Sequence, residues 1–316
     1  MAKSSPPVLS GILSVDKPLG WTSHDVVGLV RRLVGQRQVG HAGTLDPLAS
    51  GVLLVVLGTA TRLSDALMHT RKCYAARLRL GATTTTDDAE GETTTVRPVG
   101  AISPDRISAV LSGFLGEIAQ TPPAYAAIKK NGVPAYKLAR QGEAPVMEER
   151  QVRIDGLALT AIEGETLDVI VWCSAGTYIR ALARDIGEEL GCGAHLASLR
   201  RLSSGPYTVA RSRGVQELRR LAEEGEIASA VDSLDDAVAA LPVVVVPEDA
   251  VSAALHGNSV FVAGGEKNVA APEGEVRLYT PDGRLLGLGR YDARRGAWQP
   301  HRVFLPAASE MAEASS

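Results

Sequence analysis

The first eighty residues alternate between strand-like and helix-like spacing of apolar side chains. Short apolar runs at 11–16 and 52–57 predict two strands, and the second run, bounded by glycines, is typical of a buried strand. Between them, apolar residues recur at helical spacing and stop at a glycine, which predicts an amphipathic helix over 23–34. Alternation over 74–80 predicts a half-buried strand whose first residue, Tyr74, faces the covered side.

The middle of the chain contains two long polar stretches. Residues 83–95 are rich in Thr, Asp and Glu and predict an exposed loop. The stretch 120–150 is punctuated by prolines and glycines and is too long for a tight connection, which is typical of a functional segment or a linker. The remaining patterns predict helices over 103–115 and 178–190 and strands over 155–159 and 167–174.

The pattern changes near residues 237–241, where short apolar runs separated by turn signals begin. The clearest turn is Thr280–Gly283, between two strand-like runs. The tail at 307–316 has the composition of a disordered segment. We therefore predict a large domain over 10–235, a small β-rich domain over 240–306 and a disordered tail.

Composition narrows the classes of protein to which the chain can belong. With 316 residues, 45% of them hydrophobic and 22% charged, it has enough apolar material for one large and one small domain. It contains no apolar run near the roughly 18 residues that span a bilayer and no apolar signal core, so we expect a cytoplasmic protein. Its three cysteines are widely separated, which argues against a disulfide framework or a structural zinc site.

Charge is distributed unevenly along the chain, although the net charge is only −3. Residues 1–80 carry ten lysines and arginines against four acids, whereas residues 217–236 carry seven acids against two arginines. A basic N-terminal part and an acidic segment later in the chain suit a polyanionic ligand that contacts only part of the surface. Chance segregation of surface charge is the alternative that these numbers leave open.

The loop GHAGTLDPLASG, at 40–51, contains the first candidates for chemistry. Asp46 precedes a proline, which favours an extended backbone and holds a short carboxylate outward on a glycine-rich loop. An ordinary β-turn explains the same residues. His41 on this loop could contact a base, act as an acid or base, or be solvated, and Tyr74 could be an ordinary core aromatic.

Two later segments contain cationic side chains, one at the start of a predicted helix and one beside hydroxyl residues and a turn. Tyr178 and Arg180 lie at the start of a predicted helix, where the arginine could hold a nearby carboxylate in its ionised form or be an ordinary surface residue. Arg200 and Arg201 are natural phosphate contacts. The sequence has no nucleophile elbow, no His-Glu-x-x-His motif and no dinucleotide fingerprint, so serine hydrolysis, metal-dependent hydrolysis and hydride transfer are unsupported.

Four separated segments, taken in order, closely resemble the TruB family of bacterial tRNA pseudouridine synthases. They are GHAGTLDPLASGVL, KCYAARLRLG, CSAGTYIRALARDIG and LRRLSSGPY. The resemblance spans residues 10–235 and implies an α+β pseudouridine synthase fold, with a mixed, mainly antiparallel central sheet flanked by helices. It also implies that 120–150 is an RNA-clamping insertion and that 240–306 takes the position of a small PUA-like domain.

The resemblance implies a role for each candidate residue. Asp46 matches the essential aspartate, Arg180 the arginine that pairs with it, and His41 a histidine that helps to hold the target loop open. Tyr74 matches the tyrosine that stacks on the target uracil, and its phenol is a secondary candidate for removing the C5 proton. Two further residues match side chains that line the base pocket: Tyr178 and Leu199.

The implied reaction is the isomerisation of uridine 55 to pseudouridine in the T-loop of tRNA. The N1–C1′ bond breaks, the uracil turns in place and C5 joins C1′, so the reaction needs neither a cofactor nor a metal. The expected partner is the tRNA T-stem-loop, with no membrane and no obligatory protein partner. Whether Asp46 acts at C6, C1′ or C2′ is left open.

Two alternatives come from other classes of function. A carboxylate-dependent glycosidic hydrolase needs a second carboxylate, and none stands out in the motifs. An RNA-binding or tRNA-folding module would use the same basic surface without chemistry.

Overall fold

The computed structural model describes residues 8–125, 129–130, 133–134, 147–262 and 274–305. Most of the predicted RNA-clamping insertion at 120–150 and the predicted disordered tail at 307–316 therefore lie outside the described residues. None of the helices in these ranges is long and apolar enough to cross a membrane.

Strands and helices follow one another along the described chain. The strands are β1 (Gly11–Lys17), β2 (Val39–Ala42), β3 (Ala49–Leu57), β4 (Lys72–Leu80), β5 (Ala82–Thr84), β6 (Thr93–Val96), β7 (Gly116–Gln120), β8 (Lys129–Lys130), β9 (Val133–Pro134), β10 (Arg150–Glu163), β11 (Thr166–Cys173), β12 (Ala194–Ser204), β13 (Tyr207–Thr208), β14 (Arg213–Gly214), β15 (Val243–Val245), β16 (Glu275–Tyr279), β17 (Leu285–Asp292) and β18 (Ala297–Val303). The α-helices are α1 (Ser23–Val34), α2 (Ser64–Met68), α3 (Pro104–Gly113), α4 (Ile179–Leu190), α5 (Val215–Glu223), α6 (Leu234–Ala237) and α7 (Glu248–Leu255). Short 3-10 helices cover Gly58–Leu63, Val209–Arg211 and Ile227–Ala230.

Ten of these strands form one central sheet. Its main path runs β14-β1-β3-β12-β4-β11-β10-β7, with β2 paired to β3 and β13 paired to β12. The β1–β14 and β3–β12 pairs are parallel, and the other strand pairs of this sheet, among the described residues, are antiparallel. The α+β class and the mixed, mainly antiparallel sheet that the family resemblance implied are thereby confirmed.

Two hydrophobic clusters on one face of the sheet meet at a groove. One cluster is formed by α3 and α4 against β4 and β11, and the other by α1 and α5 against β3. Tyr74 on β4 and Leu199 on β12 border both clusters. The face of β4 and β12 that carries these two residues is therefore the floor of the groove between the clusters.

A second sheet, in the order β15-β16-β17-β18, forms the C-terminal part of the chain. The turn predicted at Thr280–Gly283 joins β16 to β17, and its glycine has a φ of 82°. The β-rich character predicted for this region is confirmed. Leu288 and Phe304 pack in one buried cluster with Ile12 and Leu54 of the central sheet, so the two sheets share a core.

Candidate active site

A cavity of about 350 Å³ opens where the loop after β2 meets the start of α4. Its volume is in the range of small-molecule sites in proteins. Five of the six site residues predicted from the sequence line it: Asp46, Tyr74, Tyr178, Arg180 and Leu199. The sixth, His41, does not. The lining residues that the sequence did not assign to a pocket include Met68, Lys72 and Arg201.

The loop that carries Asp46 is anchored from two sides. Ser23, at the start of α1, accepts a hydrogen bond from the Leu45 amide at 2.9 Å and donates to the Leu45 carbonyl at 3.1 Å. Arg201 donates from Nη2 to the Gly43 carbonyl at 3.0 Å and from Nε to a β3 carbonyl at 2.6 Å. The Asp46 side chain is 41% exposed and lines the cavity, so its carboxylate is open to a ligand on a fixed loop.

Arg180 forms an ion pair with Asp46, with 3.1 Å between Nε and Oδ2. Only 6% of Arg180 is exposed. Its Nη1 donates to the Thr86 carbonyl at 3.2 Å and to Asp88 Oδ2 at 3.3 Å, and its Nη2 donates to the Tyr125 carbonyl at 3.2 Å. A buried charge is costly unless it is paired and hydrogen-bonded, and these contacts satisfy the guanidinium on its far side. Arg180 is therefore held in place with Nε directed at Asp46.

The segment predicted as an exposed loop, 83–95, contributes a buried carboxylate to this network. Asp88 is 3% exposed and accepts a hydrogen bond from Thr86 Oγ1 at 2.5 Å. It also forms a bridge to Leu196 of β12, so the loop folds back on the sheet. The prediction was wrong for Asp88 because Thr, Asp and Glu are typical of solvated loops, and no spacing here indicates that one acid turns inward to meet Arg180.

Tyr74 lies on the floor of the cavity and is paired across β4 and β12 with Arg201. Burial raises the pKa of the Tyr74 phenol, and the charge and hydrogen bond of Arg201 oppose part of that rise. The phenol is therefore neutral at physiological pH. Its half-buried ring offers a flat surface on which a base could stack.

Tyr178 and Leu199 contribute to the apolar part of the cavity wall. Tyr178 precedes α4, and its position is fixed through its backbone by Gln120. The Tyr178 amide donates to Gln120 Oε1 at 2.8 Å, and its carbonyl accepts from Gln120 Nε2 at 3.1 Å. Burial raises the pKa of the Tyr178 phenol as well. Gln120, which is almost fully buried, is a positioning side chain that the sequence pattern did not indicate.

His41 was predicted on a glycine-flanked loop and instead lies in β2, paired with Val55 of β3. Its ring packs edge-on against His24, with 5.8 Å between the ring centroids. Burial lowers the pKa of His41, and the charges of His24 and Arg201 lower it further, so the neutral ring is favoured. Within the described residues its buried Nδ1 has no hydrogen-bond partner.

The two arginines predicted as phosphate contacts lie on opposite faces of β12. Arg201 is 1% exposed and is bound to main-chain carbonyls inside the protein, so the prediction was wrong for this residue. Arg200 is partly exposed and pairs with Asp16 at 2.8 Å. Alternation along a strand makes neighbouring side chains point in opposite directions, which the pair of letters in the sequence does not reveal.

Two buried lysines add positive charge around the site. Lys17 and Lys72 each donate to main-chain carbonyls, and Lys72 lines the cavity beside Met68. Burial lowers the pKa of each lysine to about 8, and the charge of Asp46 opposes part of the shift at Lys17. The surplus of cations over the Asp46 carboxylate suits an anionic ligand. Across the described ranges, no cluster of His, Cys, Asp and Glu is placed to hold a metal ion.

Family models match three successive parts of the chain. The model described as TruB family pseudouridylate synthase (N terminal domain) matches residues 31–179. The models described as tRNA pseudouridylate synthase B C-terminal domain and Pseudouridine synthase II TruB, C-terminal, match residues 180–246 and 242–304.

Individual proteins are similar over nearly the whole chain. The tRNA pseudouridine synthase B of Thermobifida fusca is 44% identical over 302 residues, which are 93% of this chain and 98% of the relative. That of Stutzerimonas stutzeri is 42% identical over 300 residues, 93% of this chain and 95% of the relative.

Solved structures are similar over both sheets. A chain in an H/ACA RNP bound to a substrate RNA containing 2′-deoxyuridine has a TM-score of 0.70 and 29% identity, with 94% of this chain and 86% of that chain covered. A chain in an archaeal box H/ACA sRNP Nop10-Cbf5 complex has a TM-score of 0.70 and 29% identity, covering 95% of this chain and 87% of that chain.

Proposed function

Because the chain belongs to the TruB family of pseudouridylate synthases, we propose that it isomerises uridine to pseudouridine at position 55 in the T-loop of tRNA. One observation carries the proposal for the site. Among the described residues that line the cavity, Asp46 is the one carboxylate, and it is ion-paired at 3.1 Å with the buried Arg180. Asp46 is thus the group available for the chemistry.

Asp46 acts as the reacting carboxylate, and Arg180 is the cation that pairs with it and orients it. The carboxylate attacks C6 of the base or C1′ of the sugar, or removes the proton at C2′. All three routes use the carboxylate oxygens, which a charge-assisted hydrogen bond from a guanidinium holds in a defined orientation. Arg180 can serve this purpose because Asp88 and two main-chain carbonyls hold its other nitrogens. Asp46 and Arg180 keep these roles whichever of the three routes the reaction follows.

The target uridine has to leave the base stack of the T-loop to reach the cavity, at a cost of a few kcal/mol. Stacking on Tyr74 repays on the order of 1–3 kcal/mol of this cost. Tyr178 and Leu199 exclude water beside the base, which strengthens the interaction of Asp46 with its counter-charge.

His41 lies outside the cavity and supports the RNA from the side of β2. Its buried Nδ1 has no partner within the described residues, and its neutral ring can either donate or accept a hydrogen bond. The role that we assign to His41 is to help hold the target loop of the RNA open.

The isomerisation leaves the composition and oxidation state of the nucleotide unchanged. One C–N bond breaks and one C–C bond forms within the same nucleoside, while the proton at C5 is replaced by one at N1. Side chains that hold, rotate and deprotonate the base therefore account for the whole conversion. The tRNA T-stem-loop is the partner, with the chain acting alone.

A glycosidic hydrolase is less well supported by the same geometry. Such an enzyme uses two carboxylates about 5–9.5 Å apart that both reach the scissile bond. The second acid in this network, Asp88, is buried behind Arg180 and does not line the cavity. Free uracil as the product would favour the hydrolase instead.

The Asp46→Asn variant tests the proposal. The purified wild-type chain should convert uridine 55 in unmodified tRNA and in an isolated T-stem-loop, as seen by mapping of pseudouridine. Asp46→Asn should fold and bind tRNA with a Kd within about 2-fold of wild type, and form no product, because the amide cannot replace the carboxylate. Asp105→Asn, at the exposed start of α3, is the matched control and should keep full activity. Turnover by Asp46→Asn above background would overturn the assignment.

A further inference from the structure

Two arginines one turn apart on α4 bind two consecutive aspartates of the loop between β5 and β6. Arg180 lies 3.3 Å from Asp88, and Arg184 lies 2.9 Å from Asp87. Arg180 faces the cavity, whereas Arg184 and Asp87 do not line it. The second pair therefore cannot touch a substrate in this cavity, and any influence on the reaction has to pass through the first pair.

The backbone of Asp87 needs outside support. Its φ is 59°, and in the described part of the chain it is the one residue other than glycine with a positive φ. This left-handed conformation is uncommon for a residue with a Cβ, although aspartate adopts it more readily than most, and contacts around Asp87 stabilise it. The Asp87 carbonyl accepts a hydrogen bond from the Leu196 amide at 3.0 Å. The ion pair with Arg184 holds the side chain.

The turn at Asp87 determines where Asp88 points. The chain reverses at Asp87, and the next residue carries its carboxylate inward to Arg180. Asp87 is itself mostly buried, so burial raises the pKa of its carboxyl and the charge of Arg184 opposes the rise. Loss of Arg184 would leave a buried carboxylate without this cation and would favour release of the strained turn.

Arg184 also contacts the segment that Arg180 contacts. Its Nη2 donates to the Thr121 carbonyl at 3.0 Å, as the Nη2 of Arg180 donates to the Tyr125 carbonyl at 3.2 Å. The two guanidinium groups thus join α4 to the same two stretches of chain, one on each side. We call Arg184–Asp87 the outer pair and Arg180–Asp88 the inner pair. Displacement of the outer pair would shift the β5–β6 loop and the segment at 121–125 relative to the inner pair.

We propose that Arg184 is a positioning residue for the Asp46–Arg180–Asp88 network: through Asp87 it fixes the turn that presents Asp88 to Arg180. The inference rests on the proposed function, since the network is taken as the catalytic one. It assigns no contact with RNA to Arg184. Its consequence is a loss of rate without a loss of tRNA affinity.

The experiment compares Arg184→Gln, Arg184→Lys and Asp87→Asn with the wild-type chain on unmodified tRNA. Single-turnover pseudouridine formation, Kd by filter binding and the thermal midpoint are measured for each protein. We expect Arg184→Gln to slow the reaction about 10- to 100-fold with Kd within about 2-fold, because small displacements of reacting groups have effects of this size. Arg184→Lys should recover part of the rate, since it keeps the charge and loses the fork of donors.

A double variant separates positioning from general stability. In the Asp88→Asn background the inner pair is already broken, so adding Arg184→Gln should slow the reaction less than about 3-fold further. Glu188→Gln is the matched control, because it breaks a different ion pair, the one with Arg97, one turn further along α4, and should keep the wild-type rate.

Each remaining outcome counts against the inference or against the function. An unchanged rate in folded Arg184→Gln, a full additive loss in the double variant, or weaker tRNA binding at an unchanged rate would overturn the positioning role. If Arg184→Gln does not fold, Asp87→Asn decides, because asparagine adopts the left-handed conformation as readily as aspartate. A wild-type chain that forms no pseudouridine would instead overturn the proposed function.

Discussion

Arg180 and Arg201 both come from segments that carry the family resemblance, and both are nearly fully buried, yet they have different roles. Nε of Arg180 pairs with Asp46, and the other two nitrogens of its guanidinium are hydrogen-bonded to other partners. Arg201 donates to main-chain carbonyls under the loop and faces the phenol of Tyr74. Each guanidinium thus places a positive charge beside a different side chain that lines the cavity, Asp46 for Arg180 and Tyr74 for Arg201.

Tyr74→Phe keeps the stacking surface and removes the phenol. If the phenol accepts the C5 proton, the single-turnover rate should fall about 100-fold or more, the size of a general-base contribution, with tRNA affinity nearly unchanged. Because burial raises the pKa of Tyr74, little phenolate exists at neutral pH and the fraction grows as pH rises. The wild-type rate should therefore increase between about pH 7 and 9, and Tyr74→Phe should lack that increase.

Tyr279→Phe is the matched control for this prediction. The Tyr279 hydroxyl donates to Asp235, and neither residue lines the cavity, so its loss should leave both rate and pH profile unchanged. Rates are measured on unmodified tRNA at saturating enzyme. A Tyr74→Phe variant with a near wild-type rate would contradict proton transfer by the phenol and leave stacking as the role of this residue.

At the scale of elements, apolar spacing predicted most of what surrounds the site. The observed α1, α4, β1 and β4 lie within two residues of their predicted positions, because periodicity is a local property of the sequence. The strand β3 begins at Ala49, before its apolar run, since parallel pairing with β12 extends it. The inward turn at Asp88 and the position of His41 in β2 likewise depend on distant partners, so the local pattern could not predict them.

The parallel pairing of β3 with β12 makes Gly51 irreplaceable. Its φ is 98°, and a Cβ there would lie 2.2 Å from the carbonyl oxygen of Arg201. The neighbouring atom belongs to backbone, so relief requires the two strands to separate next to the Asp46 loop. We expect Gly51→Ala to lower the free energy of unfolding by about 3 kcal/mol or more, as measured by urea denaturation.

Gly35→Ala distinguishes the close approach from backbone strain. Gly35 ends α1 with a φ of 68°, and nothing lies within 4 Å of the place where its Cβ would be. Gly35→Ala introduces only the strain of an alanine in the left-handed conformation, so it should lower the free energy of unfolding by about 1–2 kcal/mol. Equal losses at Gly35 and Gly51 would contradict the argument from the strand pairing, because only Gly51 meets another strand.

At the scale of the whole molecule, the change of pattern along the chain predicted a second, β-rich part, and the boundary between 235 and 240 stays a prediction. The pattern did not predict that the two parts share buried surface. Arg302 of β18 pairs with Asp65 of α2 at 3.2 Å, and Arg62 donates to the Val303 carbonyl. Contacts between elements so far apart in sequence leave no periodic signal. Periodicity reports the local structure of one element, whereas these contacts depend on the shape and charge of a distant surface.

The shared core should make the two sheets unfold together, and Phe304→Ala tests this. Phe304 is almost fully buried in the same cluster as Ile12 and Leu54 of the central sheet. Removing its ring leaves a cavity between the sheets. We therefore expect Phe304→Ala to keep a single unfolding transition and to lower the free energy of unfolding by about 3–5 kcal/mol. Urea denaturation followed by circular dichroism, and calorimetry on heating, measure both. Phe261→Ala, at a residue that is 68% exposed, is the control and should change stability by less than about 0.5 kcal/mol. Two transitions, of which Phe304→Ala moves only one, would contradict the shared core, because a cavity between cooperating sheets lowers the stability of both.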